Sequence, residues 1–172
     1  MNAGERRAFV RAHRTAVFGY NRDHDGPAMS VVYYVMPDDH TILVSTVGDS
    51  AKAKAVARLG HVSLCILDEQ WPVTYLQVSC TATVDPDPVA AGTLAMEIAS
   101  VMAGRPLDDA VRPLVIEGAR TQGRVVLRLT PYATFETPPP HVFEETDLPL
   151  LAHPTNAALP WDEPEIPEKS IR

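Results

Sequence analysis

Residues 41–59 read Thr-Ile-Leu-Val-Ser-Thr-Val-Gly-Asp-Ser-Ala-Lys-Ala-Lys-Ala-Val-Ala-Arg-Leu, and the change of character midway decides the fold. Thr41–Thr46 is apolar and β-branched, the composition of a strand. Asp49–Leu59 is built from alanine, lysine, arginine and leucine, all good helix formers, with Asp49 or Ser50 placed to cap the first turn. A strand therefore runs through a glycine turn into a helix N-terminus. The free N–H groups and the positive end of the helix dipole make such a junction receptive to phosphate. In Ser45-Thr46-Val47-Gly48-Asp49-Ser50-Ala51-Lys52, a hydroxyl at the strand end and, past the glycine turn, a hydroxyl and a lysine in the first helical turn face one place. Taken alone, the pattern fits more readily a capped helix with a solvated lysine.

Upstream, residues 5–13 (ERRAFVRAH) have the spacing of a short amphipathic helix with Phe9, Val10 and Ala12 on its apolar side. Thr15–Arg22 alternates as a strand, and Asp23-His24-Asp25-Gly26-Pro27 is a turn. Ala28–Met36 is so continuously apolar that it predicts a strand buried on both faces. Downstream, His61–Leu67 and Val73–Val84 return to strand composition. Pro86–Ala103 carries Leu94, Ile98 and Val101 at helical spacing. A further helical stretch over Leu107–Arg120 is expected to break near Pro113, and Arg124–Thr130 alternates to close the sheet. The pattern predicts a mostly β protein with helices, a six-stranded antiparallel barrel whose closure removes exposed edges.

The chain has 172 residues, 45% hydrophobic and 22% charged, enough for one domain with its own core. That domain is assigned to residues 1–136. Residues 137–172 hold eight of the 16 prolines and are read as an acidic arm, extended or disordered, with Val142, Phe143, Leu159 and Trp161 favouring docking. Eight of the 22 acids lie from Glu136 onward, so the net charge of −7 belongs to the arm and the body is nearly neutral. No basic stripe marks a nucleic-acid partner, and no apolar run reaches the ~18 residues of a membrane span. The charged N-terminus lacks a signal-like apolar stretch, so a cytoplasmic protein is expected. Cys65 and Cys80 sit in apolar strands and read as inert core thiols. The six histidines show no ligand spacing and read as surface residues; no metal site is expected, and no hydrolase, Rossmann or P-loop motif occurs.

The order of these pieces resembles the pyridoxamine 5'-phosphate oxidase-like split-barrel family. Thr46 followed by Ser50-Ala51-Lys52 matches that family's Thr, three variable residues and Ser-Arg-Lys opening a helix. Val62-Ser63-Leu64 follows at the family's distance, then Leu76-Gln77-Val78 with Ala82, and upstream lies Gly26-Pro27 with the strand from Ala28 to Tyr33. The likeness spans roughly residues 6–135.

What the resemblance implies is a split-barrel homodimer that binds FMN, or in some branches deazaflavin F420, at the dimer interface; some split-barrel relatives bind haem. Ser45, Thr46, Ser50, Ala51 and Lys52 would hold the cofactor phosphate, Ser30, Val31, Val32 and Tyr33 would lie along the ring and ribityl chain, and Gln77 would bond the ring. Lys54 and Arg58 are further cations for a longer F420 tail. Ala51, Leu76 and Ser30 stand where the family carries arginines, and the C-terminal Trp and Arg-x-His substrate motif has no counterpart, so the chain is not expected to oxidise pyridoxamine phosphate. The expected function is an FMN-dependent oxidoreductase acting on a small molecule by hydride transfer. The alternatives are an F420-dependent reductase and a dimeric binding module without cofactor.

Overall fold

The computed structural model describes residues 1–70, 74–136 and 158–162. Helix α1 (Ala3–Ala12) leads into strands β1 (Thr15–Tyr20), β2 (Ala28–Asp38) and β3 (Thr41–Val47). Helix α2 (Ala51–Leu59) connects to β4 (His61–Asp68) and β5 (Thr74–Asp85). Helices α3 (Pro88–Ala103) and α4 (Arg112–Thr121) form a hairpin before the long strand β6 (Arg124–Glu136). The strand order is β3-β2-β1-β4-β5-β6, and β3 also pairs with β6, so the six antiparallel strands close into a barrel. A two-residue strand, β7 (Leu159–Pro160), pairs with β6 at Ala133 and Thr134.

The barrel interior is filled by Phe18, Ile42, Val44, Leu64, Ile66, Leu76, Val78, Leu127 and Leu129, all fully buried. These residues alternate along their strands, as the period of two requires. Trp161 joins this core, 1% exposed, although it stands within the proline-rich segment beyond residue 136. Its indole N–H donates to the Asp39 carbonyl at 2.7 Å, and its backbone N–H to that of Tyr132 at 3.1 Å. Val142 and Phe143 of the same segment lie outside the described residues.

A second, smaller core lies outside the barrel. Ala91, Leu94, Ala119 and Val126 are buried there, with Val35, Leu43 and Ile98 packed around them. It seats the α3–α4 hairpin on the outer faces of β2, β3 and β6. Asp87 caps α3 with Pro88 in its first turn, and Gly104 ends it at φ +66°, a left-handed position suited to glycine. The second helical stretch is interrupted near Pro113, as its position suggested. Pro113 sits in the first turn of α4, where a missing N–H costs no hydrogen bond, after a short 3-10 turn over Asp109–Val111.

The hairpin is held at close range by Gly92. A Cβ there would lie 2.7 Å from the Ile116 Cα and 2.6 Å from its Cγ1. Gly92→Val is expected to lower stability by about 1–3 kcal/mol, read as a shift of the urea midpoint, by pushing α4 off α3.

Two expectations about packing are corrected. Strand β2 is not buried on both faces: Val32 and Tyr34 point inward, while Met29 and Val31 are 73% and 70% exposed. Its outward side is as apolar as its inward side, so composition alone could not show that the described residues leave Met29 and Val31 exposed. In α1 the buried positions are Ala3, Arg6 and Val10, and Ala12 is exposed. Arg6 is buried because its guanidinium donates to the carbonyls of Met1 and Pro160.

Candidate functional site

The junction of β3 and α2 forms as its composition dictates. Ser50 caps α2, its Oγ accepting from the Ala53 N–H at 3.3 Å, and Gly60 closes the helix in the left-handed region at φ +66°. Thr46 is buried, and its hydroxyl lies 3.1 Å from Ser50 Oγ, so the two hydroxyls hold each other at the base of the helix.

Beside this junction lies a cleft of about 560 Å³, within the size range of small-molecule sites. One wall is formed by β2 and β3, with Val31, Val32, Tyr33 and Ser45. The other is the α3–α4 hairpin, with Ile98, Ala99, Met102 and Val115 among its residues. Lys52 enters from the first turn of α2, and Arg124 from the first residue of β6, which pairs with Val47. The cleft thus has a long apolar flank and a cationic end.

The two cations differ in their settings. Burial pulls the Lys52 ammonium below the ordinary lysine pKa, and among the described residues no carboxylate pairs with it. Arg124 is oriented by neutral groups, its Nε donating to the Gln122 side-chain oxygen at 2.8 Å and its Nη1 to Ser45 Oγ at 3.3 Å. A partly desolvated ammonium and a positioned guanidinium, both without an acid partner among the described residues, are the donor set that a phosphate monoester completes.

Of the residues expected at this site, Val31, Val32, Tyr33, Ser45 and Lys52 line the cleft. Thr46 and Ser50 stand beneath it, engaged with each other. Ala51 is exposed and does not line it. Ser30 turns inward: its Oγ is buried, with no hydrogen-bond partner among the described residues. Gln77 is not brought to the cleft by its own chain, because β5 lies three strands from β2 and Gln77 is exposed on the outer face. Lys54 and Arg58 do not serve the cleft; Lys54 pairs with Asp49 at 3.0 Å, and Arg58 with Asp23.

Arg124 and Gln122 are the residues that sequence reasoning missed. Arg124 was legible only as the first residue of an alternating strand, and its approach to Ser45 depends on the β3–β6 pairing that closes the barrel. It supplies a guanidinium to the cleft although position 51 is alanine.

A family model described as Pyridoxamine 5'-phosphate oxidase matches residues 3–137. Among solved structures, the chain is similar to a conserved hypothetical protein from Mycobacterium tuberculosis, at 21% identity over 85% of this chain and 94% of that one, with a TM-score of 0.68. It is also similar to a protein titled F420 reductase, at 16% identity over 74% of this chain and 93% of that chain, TM-score 0.58. General stress protein 26 from Bacillus anthracis aligns at 19% identity over 81% and 96%, TM-score 0.55. At these identities the likenesses show the fold. A comparison with curated proteins gives no match.

Proposed function

The chain belongs to the pyridoxamine 5'-phosphate oxidase family, whose members bind FMN or F420, and from that premise we propose that it is an FMN-dependent oxidoreductase acting on a small molecule. The observation that carries this reading is the pair of cations, Lys52 and Arg124, at one end of an apolar cleft. Lys52, Arg124 and Ser45 hold the phosphate, and the β2 wall from Val31 to Tyr33 flanks the flavin ring. When bound, the flavin supplies hydride transfer; the protein contributes anchoring, a flat apolar wall and exclusion of water. Two cations match one terminal phosphate. An F420 tail, with its additional carboxylates, would call on Lys54 and Arg58, which are already paired with Asp49 and Asp23.

Side-by-side titration of the purified chain with FMN and F420 tests the reading. FMN fluorescence is expected to change on binding, with F420 binding more weakly. A tighter F420 complex would move the chain to the deazaflavin branch. A chain that binds neither would instead be the cofactor-free binding module, the reading favoured by Ala51 and Leu76.

The uncovered outer face supports a homodimer. The strand register places Val31, Val17, Cys65, Gln77 and Phe135 side by side across β2, β1, β4, β5 and β6. A second copy docked on this row would bury the exposed β2 residues and bring Gln77 of one copy towards the cleft of the other. Light scattering is expected to give twice the 18.8 kDa chain mass, and a monomer would exclude the assembly. Ellman's reagent adds a second reading. Cys65 is half-buried on that face, and Cys80 is inside the barrel with its thiol pushed up to about 12 by burial. Cys65 is expected to react only on dilution of the dimer, and Cys80 only on unfolding, since the thiolate is the reactive form.

A further inference from the structure

Helix α4 passes into β6 through Gln122 and Gly123, and this turn carries the guanidinium of the cleft. The backbone makes the turn by itself: the Gln122 N–H donates to the Gly118 carbonyl at 3.0 Å, and the Gly123 N–H to that of Arg120 at 3.0 Å. The Gly123 carbonyl accepts from the Gly48 N–H at 2.8 Å, which ties the turn to the β3–α2 junction that carries Lys52. The Gln122 side chain is exposed and lines the cleft. Neither core packing nor helix capping accounts for its identity.

Its contact with Arg124 does. The Arg124 Nε–H can only donate, so it is the amide oxygen of Gln122 that faces it, at 2.8 Å. Ser45 Oγ takes one Nη1–H at 3.3 Å, and Nη2 has no partner among the described residues. A glutamate in place of Gln122 would orient the guanidinium through a stronger, charge-assisted bond, but would cancel its charge. Glutamine and serine orient it and leave the charge whole. None of the residues lining the cleft is an acid, so Lys52 and Arg124 present two uncompensated positive charges at one end. A phosphate monoester, which carries a charge of about −1.5 to −2 at neutral pH, matches them; a phosphodiester carries only one negative charge.

We propose that Gln122 is a specificity-determining residue of the cleft: an uncharged acceptor that orients Arg124 without neutralising it, so that the cationic end selects a phosphate monoester over a phosphodiester. This deepens the cofactor reading and rests on it only for the identity of the monoester, FMN. The amide, the guanidinium and the absence of acids among the lining residues select the charge of the ligand whatever ring it carries.

Phenyl phosphate and its monomethyl ester are the probes, each a ring that the apolar flank can hold. They are titrated calorimetrically into the full chain, Gln122→Glu and Gln122→Met at about pH 8, where the monoester is a dianion. The parent chain is expected to prefer phenyl phosphate about tenfold. Gln122→Glu should weaken phenyl phosphate about tenfold and the diester, with half the charge, about threefold, so that the preference narrows. Gln122→Met removes the acceptor without adding charge, and should weaken both esters alike. Thermal melting should be the same in all three chains, because the side chain is exposed. A structural or purely orienting role would leave Gln122→Glu as good as the parent. That result, an equal loss for both esters in Gln122→Glu, or no binding of phenyl phosphate would overturn the proposal. A chain that shows the expected ester pattern but takes no FMN would keep the proposal and remove the cofactor reading. FMN bound equally well by the parent and by Gln122→Glu would do the reverse.

Discussion

Trp161→Ala is expected to cost about 3–5 kcal/mol of stability, the range for truncating a fully buried tryptophan. The side chain is 1% exposed and belongs to the main core, although it follows a proline-rich stretch of sequence. Three further contacts depend on the same short segment. The Pro160 carbonyl accepts from buried Arg6 at 2.8 Å, Asp162 pairs with Arg7, and the Arg7 guanidinium lies 5.9 Å from the centre of the Trp161 ring. Trp161→Phe keeps most of the apolar bulk but deprives the Asp39 carbonyl of its indole donor, so a loss of about 1–3 kcal/mol is expected. Ending the chain at residue 157 should cost at least as much as Trp161→Ala, because β7 goes with it. Guanidinium denaturation of the three variants measures the series. A Trp161→Ala chain as stable as its parent would mean that the segment does not pack where it is described.

The sequence announces the barrel and conceals this closure for the same physical reason. Strands declare themselves through neighbours one and two residues apart, so Thr41–Val47 or Arg124–Thr130 can be read locally. Trp161 stands alone among prolines and acids, and only the tertiary pairing of β7 with β6 gives it a pocket. Strand β2 shows the converse limit. Its run of apolar residues signals that both sides avoid water, yet among the described residues Met29 and Val31 on its outer side stay exposed.

The candidate site divides in the same way. Lys52 and Ser45 were legible because the strand-to-helix junction is contiguous in sequence, and its capping chemistry is local. Thr46 and Ser50 carry the expected residue types, but spend their hydroxyls on each other. Arg124 is 72 positions from Lys52, and no periodicity links them; barrel closure does. His13 had the look of a surface residue after a helix. Its setting becomes visible only when the end of β4 brings Asp68 to within 3.7 Å of its ring.

Because Lys52 and Arg124 act at one end of the cleft, they should control discrimination between FMN and riboflavin, which differ by the phosphate alone. Charge-assisted hydrogen bonds contribute about 1.5–3 kcal/mol each. Lys52→Ala and Arg124→Ala are thus each expected to weaken FMN binding by about ten- to a hundredfold. Riboflavin affinity should barely change, so in the double variant the preference for FMN should disappear. Arg124→Lys keeps the charge but loses the forked geometry and the bonds that orient it, and should recover only part of the loss. The pH dependence has a definite sign. Burial depresses the pKa of Lys52 in the free protein, and a bound phosphate raises it again. The phosphate contribution is therefore complete below the free-state pKa and is lost as pH rises towards the bound-state value. FMN affinity should fall on the alkaline side while riboflavin affinity stays level, and the Lys52→Ala chain should lose that dependence. Equal affinities for FMN and riboflavin in the parent chain would remove the phosphate from this end of the cleft, and with it the argument that these two cations replace the arginine absent at position 51.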